Sequence, residues 1–422
     1  MLRSSARLRR QVSPPCRSPG FVAADRLQVC QLDEPMTPDP DPDIPAEAPA
    51  VLALQVIDNL ELGGAQRLLA TLAGQYSRGQ SLQVVSLMEG PAPFRTMLRS
   101  MGAEVTTLDN LKLWHPMSVP RLVRELRGRK EAVVHVHLTY ATILGVPAAR
   151  LVGKRVVVSL HNAQTVDGNS LRARILRGLE DFCLRHLADR VVFVGANVER
   201  ANRSRIGRTP GIVVPNVIPR PKPLPPADRA SIRQGLGVGP EDVAVIATGR
   251  LSEQKDPFLL VRAFAAAQAR AGNLVLWVVG DGALRAGVEA LARDVLPAED
   301  PVRPRIRFLG ARDDVQRLLP AADIYALSSR WEGLPVALLE AMAAGLGIVC
   351  TRVGDIPELL PEDAALMVQR EDEAGFAAAL AKLAADKALR EGLARRALQA
   401  AGPHCDVAGW QRTLERIYAE LA

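Results

Sequence analysis

The stretch "DIYALSSRWEGLPVALLEAMAAGLGIVCTR" (residues 323–352) decides how the second half of this chain folds. "DIYALS" and "GIVCTR" are short apolar runs of the kind that form strands buried on both faces. Between them "RWEGLP" reads as a loop and the Ala/Leu-rich run after it as a helix. Pro335 suits a first-turn position, so the helix is expected to begin at about residue 335, with its unbonded N–H groups at the loop end. Strand, loop, helix and strand in that order form the repeating unit of a parallel sheet covered by helices. Ligands of such sheets bind beyond the C-terminal ends of the strands, where this loop lies. A helix N-terminus carries roughly half a positive charge and binds phosphate. Glu332 precedes that terminus and can reach the sugar side of a bound phosphate. Glu340, about 1.5 turns into the helix, offers an acceptor for a hydroxyl such as that of a ribose.

The same alternation runs through the rest of the chain. "VLALQVI" (51–57), "LQVVSL" (82–87), "AVVHVHL" (132–138), "RVVVSL" (155–160), "RVVFVG" (190–195) and "GIVVPN" (211–216) read as strands, with helical spacing between most of them. "VIPRPKPLPPADRA" (217–230) then places five prolines in fourteen residues and reads as a linker. A second series follows at 243–249, 274–280, 305–310, 323–328, 347–352 and 365–369. The expected fold class is α/β: two doubly wound Rossmann-like domains, 50–219 and 220–405, facing a central cleft. A last helix near 406–421 carries Trp410 and Tyr418 on an apolar face, expected to dock back on the first domain. Residues 1–49 are rich in Pro, Arg and Asp without periodicity and read as a disordered tail. The Asp-x-Asp spacings in it alternate with proline, follow no strand, and do not read as a metal site.

Composition narrows the class. At 422 residues the chain suits two domains of about 150–200 residues each. Aromatic residues are only 4%, so the cores should be aliphatic. Five scattered cysteines with no C-x-x-C pair argue against a disulfide framework or a zinc site and fit a reducing compartment. No apolar run reaches the length of a membrane span, and the Arg-rich N-terminus lacks a signal peptide's apolar stretch. The expected location is cytoplasmic, with peripheral contact on the inner face of the membrane. Residues 51–219 hold 22 Lys/Arg against 12 Asp/Glu, and "RLVRELRGRK" (121–130) carries five of those cations. That excess reads either as a solvated helix face or as attraction to an anionic membrane surface or acceptor. Nucleic acid is not expected, because no aromatic side chains interleave with the basic ones.

Several loops at strand ends carry suitable chemistry. Gly63 and Gly64 in "ELGGAQR" permit close backbone approach before a helix, an anion or sugar cradle in the absence of a dinucleotide or P-loop fingerprint. Arg250 and Lys255 in "TGRLSEQKDP" suit a diphosphate, whose charge they would neutralise as it departs. "VVGDGALR", with Gly280, reads as part of the cleft floor. "FLGARDDV", with Arg312, could offer backbone groups to a base edge. Of His135, His137 and His161, the last ends its strand and is best placed for the cleft. No His-x-x-x-His or His-Glu-x-x-His spacing points to a metal.

Taken together, "GGAQR", "SLHN", "VPNVI", "TGRLSEQKDP", "VVGDGALR", "FLGARDDV", "SSRWEGLPVALLEAMAAG" and "RVGDIPE" resemble the retaining glycosyltransferases of family four, over almost all of 51–422 and in the family's order. The resemblance implies the GT-B fold and a nucleotide-sugar donor held mainly by the C-terminal domain, with a glycan or lipid-linked acceptor. It implies no cofactor and no metal, the nucleotide-sugar being a co-substrate. Arg250 and Lys255 match the family's diphosphate pair, Glu340 the ribose carboxylate and Glu332 the one beside the transferred sugar. His161 matches a histidine near that sugar, and Gly63 and Gly64 the N-domain glycine loop. The donor set implied is completed by Gly280, Arg312, Gly333, Leu334 and Pro335. Retention in this family is described as front-face attack, with the leaving phosphate helping to deprotonate the acceptor. Four positions depart from the family pattern: Pro219 for an acidic residue, Gly347 for proline, Asp355 for a second glycine, and Gly195 for serine. An epimerase or phosphorylase-like enzyme on the same fold, or a non-catalytic nucleotide-sugar-binding subunit, are the alternatives.

Overall fold

The computed structural model describes residues 53–61, 63–76, 81–88, 92–108, 111–163, 170–296 and 305–422. The tail expected over 1–49 lies outside them. In the first half, β1 (Ala53–Ile57), α1 (Gly64–Ala73), β2 (Gln83–Ser86), α2 (Ala92–Ser100), β3 (Glu104–Thr107), α3 (Ser118–Arg127) and β4 (Val133–His137) come first. They are followed by α4 (Thr139–Leu151), β5 (Arg155–Leu160), α5 (Leu171–Phe182), β6 (Arg190–Phe193), α6 (Ala196–Asn202) and β7 (Gly211–Val213). The strands form one parallel sheet of order β3-β2-β1-β4-β5-β6-β7. β1 and β4 are buried at every residue, as strands sandwiched between helix layers must be.

The second half starts with α7 (Pro226–Gly235), β8 (Val243–Thr248), α8 (Pro257–Ala271), β9 (Leu274–Val279), α9 (Arg285–Val295), β10 (Ile306–Gly310) and α10 (Val315–Leu318). It continues through β11 (Ile324–Leu327), α11 (Val336–Ala343), β12 (Gly347–Thr351), α12 (Ile356–Leu359), β13 (Leu366–Val368), α13 (Glu373–Ala385), α14 (Lys387–Ala401) and α15 (Val407–Ala419). Its parallel sheet has the order β10-β9-β8-β11-β12-β13. Gly280 follows β9 with φ +144°, and a Cβ there would run into the Gly249 carbonyl. Gly249 N–H donates to the Val279 carbonyl (3.0 Å) and Gly280 N–H to that of Gly310 (2.8 Å). The ends of three strands are thereby drawn into one backbone floor.

Three details differ from the sequence reading. β3 is a strand that the hydrophobic pattern does not announce, because "EVTT" is four residues long and pairs with β2 alone. The 217–230 linker is shorter than its prolines suggest, because α7 begins inside it. Pro226 sits at the first helical position, where the missing N–H costs nothing. Arg229 and Arg233 then tie α7 to Asp323, at 2.8 Å each, so the helix belongs to the second half. Pro335 caps α11, with Val336 the first helical residue.

The last helix leaves the half that precedes it. Leu414, Ile417 and Tyr418 of α15 pack with Ala53, Val133, Val157 and Val192 of the first sheet. The Tyr418 hydroxyl lies 2.6 Å from His135 Nδ1. Among the described residues no helix is long and apolar enough to cross a membrane.

Candidate active site

The loops after β8 and β11 are stitched together. Ser328 Oγ donates to the carbonyls of Lys255 (2.7 Å) and Asp256 (3.1 Å). Arg330 N–H donates to the Gln254 carbonyl (2.8 Å), and its guanidinium reaches Asp256 Oδ2 (2.9 Å). Asp256 adopts φ +41° and caps α8 by accepting from Leu259 N–H. These fixings deliver Lys255 Nζ to 2.5 Å from Glu332 Oε1. Ser329 Oγ donates to the same oxygen (2.6 Å) and Gln254 Nε2 approaches the other at 3.4 Å. Glu332 is 5% exposed, so this set of donors stands in for water around its carboxylate. A gap of about 30 Å³ lies among Gly249, Arg250, Lys255 and Ser328.

The two sheets turn their C-terminal strand ends toward each other, and several contacts cross between them. A Cβ on Gly333 would strike the His161 carbonyl. Asn216 Nδ2 donates to the Leu334 carbonyl (2.7 Å). A Cβ on Gly64, the first residue of α1, would meet Val336 of α11 at 3.6 Å. Arg67 of α1 pairs with Glu340 Oε1 (3.1 Å), and Glu61 pairs with Arg250 (3.1 Å). Burial pushes the Glu340 carboxyl above its ordinary range, and the Arg67 guanidinium opposes that rise.

Asp355 and Gly195 fit one another across the same seam. Asp355 is buried and accepts from Asn197 N–H at 2.6 Å, which caps α6 from the opposite half. A Cβ on Gly195 would lie 2.5–2.8 Å from the Asp355 carboxylate atoms. The Asp355 carboxylate thus occupies the space that a side chain at 195 would need. Arg200 and Glu358 form an ion pair beside it.

On the first sheet, the histidines at 135, 137 and 161 form a row, the first two buried and His161 partly so. His135 Nε2 lies 2.8 Å from Ser159 Oγ, His137 Nε2 lies 2.9 Å from Gln55 Oε1, and His137 Nδ1 lies 3.2 Å from His161 Nε2. Burial lowers all three, His135 to about 3 and His161 to about 4, so the row is neutral near pH 7. Asp58, at the end of β1, accepts from Tyr140 N–H (3.2 Å) and Ala141 N–H (2.5 Å) at the start of α4. Burial nevertheless lifts its carboxyl to about 7.

The structure thus gathers Lys255, Glu332, Gly333, Leu334, Pro335 and His161 at one place, with Arg250, Glu340, Gly63 and Gly64 on its borders. Gly280 lies in the floor. Arg312 turns its guanidinium to Asp314 in a double contact of 2.6 Å and is not drawn into this place. The sequence reading did not single out Glu61, Arg67, Gln254, Ser329 or Asn216. The Arg of "GGAQR" was the one legible signal among them, a cation one turn past the glycines.

Comparison with known proteins agrees with this architecture. Residues 62–220 match the family described as Glycosyltransferase Family 4, and residues 242–386 the one described as Glycosyl transferases group 1. The chain belongs to the group 1, family 4 glycosyltransferases, and its two facing sheets are the GT-B fold. The lipopolysaccharide core biosynthesis glycosyltransferase LpsE of Rhizobium meliloti is 36% identical over 37% of this chain and 44% of its own length. An Escherichia coli enzyme named UDP-Gal:alpha-D-GlcNAc-diphosphoundecaprenol alpha-1,3-galactosyltransferase is 27% identical over 67% of this chain and 74% of its own. For LpsE and several other relatives, the chain matches about half of their length. Anabaena HepE in complex with UDP-glucose superposes with a TM-score of 0.75 at 22% identity, over 87% of this chain and all of that one. WaaG, a glycosyltransferase involved in lipopolysaccharide biosynthesis, does so with a TM-score of 0.64 at 18% identity, over 86% of this chain and 99% of that one.

Proposed function

We propose that the chain is a retaining glycosyltransferase that moves a sugar from a nucleotide-sugar donor to a glycan or lipid-linked acceptor in cell-envelope polysaccharide or glycolipid assembly. The observation that carries this reading is the Lys255–Glu332 pair held beside the start of α11. Lys255 and that helix terminus stabilise the negative charge growing on the leaving diphosphate. Arg250 joins them once the donor competes with Glu61. Glu332 steers the lysine and faces the transferred sugar, and Glu340 holds the ribose. The seam between the halves excludes water from the reacting bond. Incubation with UDP-, GDP- and ADP-sugars should raise the melting temperature with one base above the others, since a ligand of the native state stabilises it. Transfer from that donor to a polyprenyl-diphosphate-linked sugar, with the product anomer read by NMR, completes the test. No shift with any donor and no transfer would sink the reading. Interconversion of the donor sugar without acceptor would replace it with an epimerase.

The acceptor side of this reading includes an anionic membrane surface, and α5 suits it better than the 121–130 segment. α3 buries its apolar face at Leu122 and Leu126, and Arg129 is consumed by Gln83, Thr106 and Glu125. α5 instead leaves Leu171 (72%), Ile175 (44%), Leu179 (37%) and Phe182 (54%) exposed along one stripe. Exposed Arg172 and Arg174 flank it, and its Glu180 is buried against Arg205. An apolar stripe with arginines beside it is the pattern of a helix lying in a lipid interface. The wild type should sediment with vesicles containing phosphatidylglycerol, less so at high salt, and Leu171→Ser/Phe182→Ser should release it. Unchanged sedimentation, or a dimer that those changes dissolve, would overturn the membrane assignment.

A further inference from the structure

The histidine row is a directed chain. Gln55 sits opposite His135 in the register of β1 and β4, and His137 sits opposite Ser159 in that of β4 and β5. Gln55 Nε2 donates to the Ala53 carbonyl at 3.1 Å, and the amide also hydrogen-bonds Tyr418 of α15. This turns Oε1, which can only accept, toward His137 Nε2 at 2.9 Å. His137 therefore carries its hydrogen on Nε2. The ring is neutral in its buried place, so Nδ1 is bare and can only accept. The 3.2 Å contact between His137 Nδ1 and His161 Nε2 then needs a hydrogen on His161 Nε2. His161 Nδ1, the remaining ring nitrogen, carries a lone pair and has no hydrogen-bond partner among the described residues.

We propose that Gln55 and His137 are positioning residues that fix His161 in the Nε2–H form, so that Nδ1 accepts a hydrogen bond from a hydroxyl of the transferred sugar. This rests on the reading of the cleft as a sugar-transfer site, where the Gly333 loop packs on the His161 carbonyl. It gives the first sheet a defined share in selecting the donor. A sugar with a hydroxyl at that point is taken, whereas one bearing only an acceptor group there meets a second lone pair. Ordering of this kind resembles the second-layer partners that set the tautomer of working histidines elsewhere.

Nitrogen NMR on the full chain labelled in its histidines reads the tautomer without turnover. The expected spectrum has His161 and His137 both protonated on Nε2 and bare on Nδ1, with His161 signals assigned by their loss in His161→Gln. His137→Phe should mix the two His161 forms and lower kcat about tenfold, the loss of roughly one transition-state hydrogen bond. His137→Asn, whose side-chain oxygen takes the place of Nδ1, should restore most of both. A role in packing alone would lower melting temperature in step with size and leave the His161 signals unmoved. His161 protonated on Nδ1 in the wild type overturns the inference, as does unchanged tautomer and kcat in a folded His137→Phe. If His137→Phe does not fold, the wild-type spectrum still decides. A wild type with the expected spectrum but no transfer would remove the transferase reading alone. The opposite spectrum in a working transferase would remove this inference alone.

Discussion

Lys255→Ala is expected to lower kcat/KM for sugar transfer by about 100- to 1,000-fold, the usual consequence of deleting one preorganised group from a developing anion. The lysine is the cation closest to Glu332, at 2.5 Å, and its backbone is pinned by Ser328. Little else can move into its place. Arg250 is half-exposed and paired with Glu61, so it does not substitute for a group fixed from three sides. The same change leaves Glu332 buried with only Ser329 and Gln254 as donors. A buried carboxylate robbed of its partner costs stability, so the melting temperature should fall as well. Lys255→Ala/Glu332→Gln separates the two effects. Neutralising the carboxylate should recover melting temperature while activity stays low. Steady-state kinetics beside calorimetry checks this, and a Lys255→Ala enzyme with wild-type kcat/KM would end the role given to this lysine.

The second large effect is expected at the seam between the halves. Gly195→Ser alone places a side chain on the Asp355 carboxylate and should destabilise the chain by about 1–3 kcal/mol, the cost of overfilling a packed site. Asp355→Gly alone removes the cap of α6 and should cost about 0.5–2 kcal/mol. The combination Gly195→Ser/Asp355→Gly restores the arrangement common in the family, with a serine before the helix and a glycine across from it. It should therefore be more stable than the sum of the single changes by about 1 kcal/mol or more, a coupling typical of residues in contact. Chemical denaturation of the four proteins gives the number. Simple additivity would show that the two departures are independent.

That pair illustrates what the sequence makes legible. Both departures can be seen by reading positions 195 and 355 against a family pattern. Their mutual compensation cannot, because 160 residues of chain separate them and only folding brings the Asp355 carboxylate to the Asn197 N–H. Arg67–Glu340 and Glu61–Arg250 were hidden for the same reason. The first joins α1 of one half to α11 of the other, and the second joins the loop after β1 to the loop after β8. What could be read was local: apolar runs for the buried strands, Pro335 for the start of α11, and the eight-residue step between Glu332 and Glu340. That step leads to two different ion pairs, with Lys255 and with Arg67, so the two carboxylates stand apart in the structure. β3 escaped notice because an edge strand of four residues with an exposed Glu104 needs no hydrophobic alternation. α7 escaped notice because a run of prolines masks the one proline that can head a helix.

The return of α15 to the first sheet gives the chain an order of completion. The strands bearing Gln55, His135 and His137 are made early, yet the tyrosine that hydrogen-bonds His135 is Tyr418, 283 residues further along the chain. Through synthesis, the layer over Val133, Val157 and Val192 waits uncovered while the whole second half is made. The amino-terminal sheet is thus begun before the second half and covered after it, and the histidine row gains its Tyr418 neighbour only once α15 has been made. Contacts of such long sequence separation slow folding. They also make the two halves of this fold a single unit in assembly, although each has its own sheet.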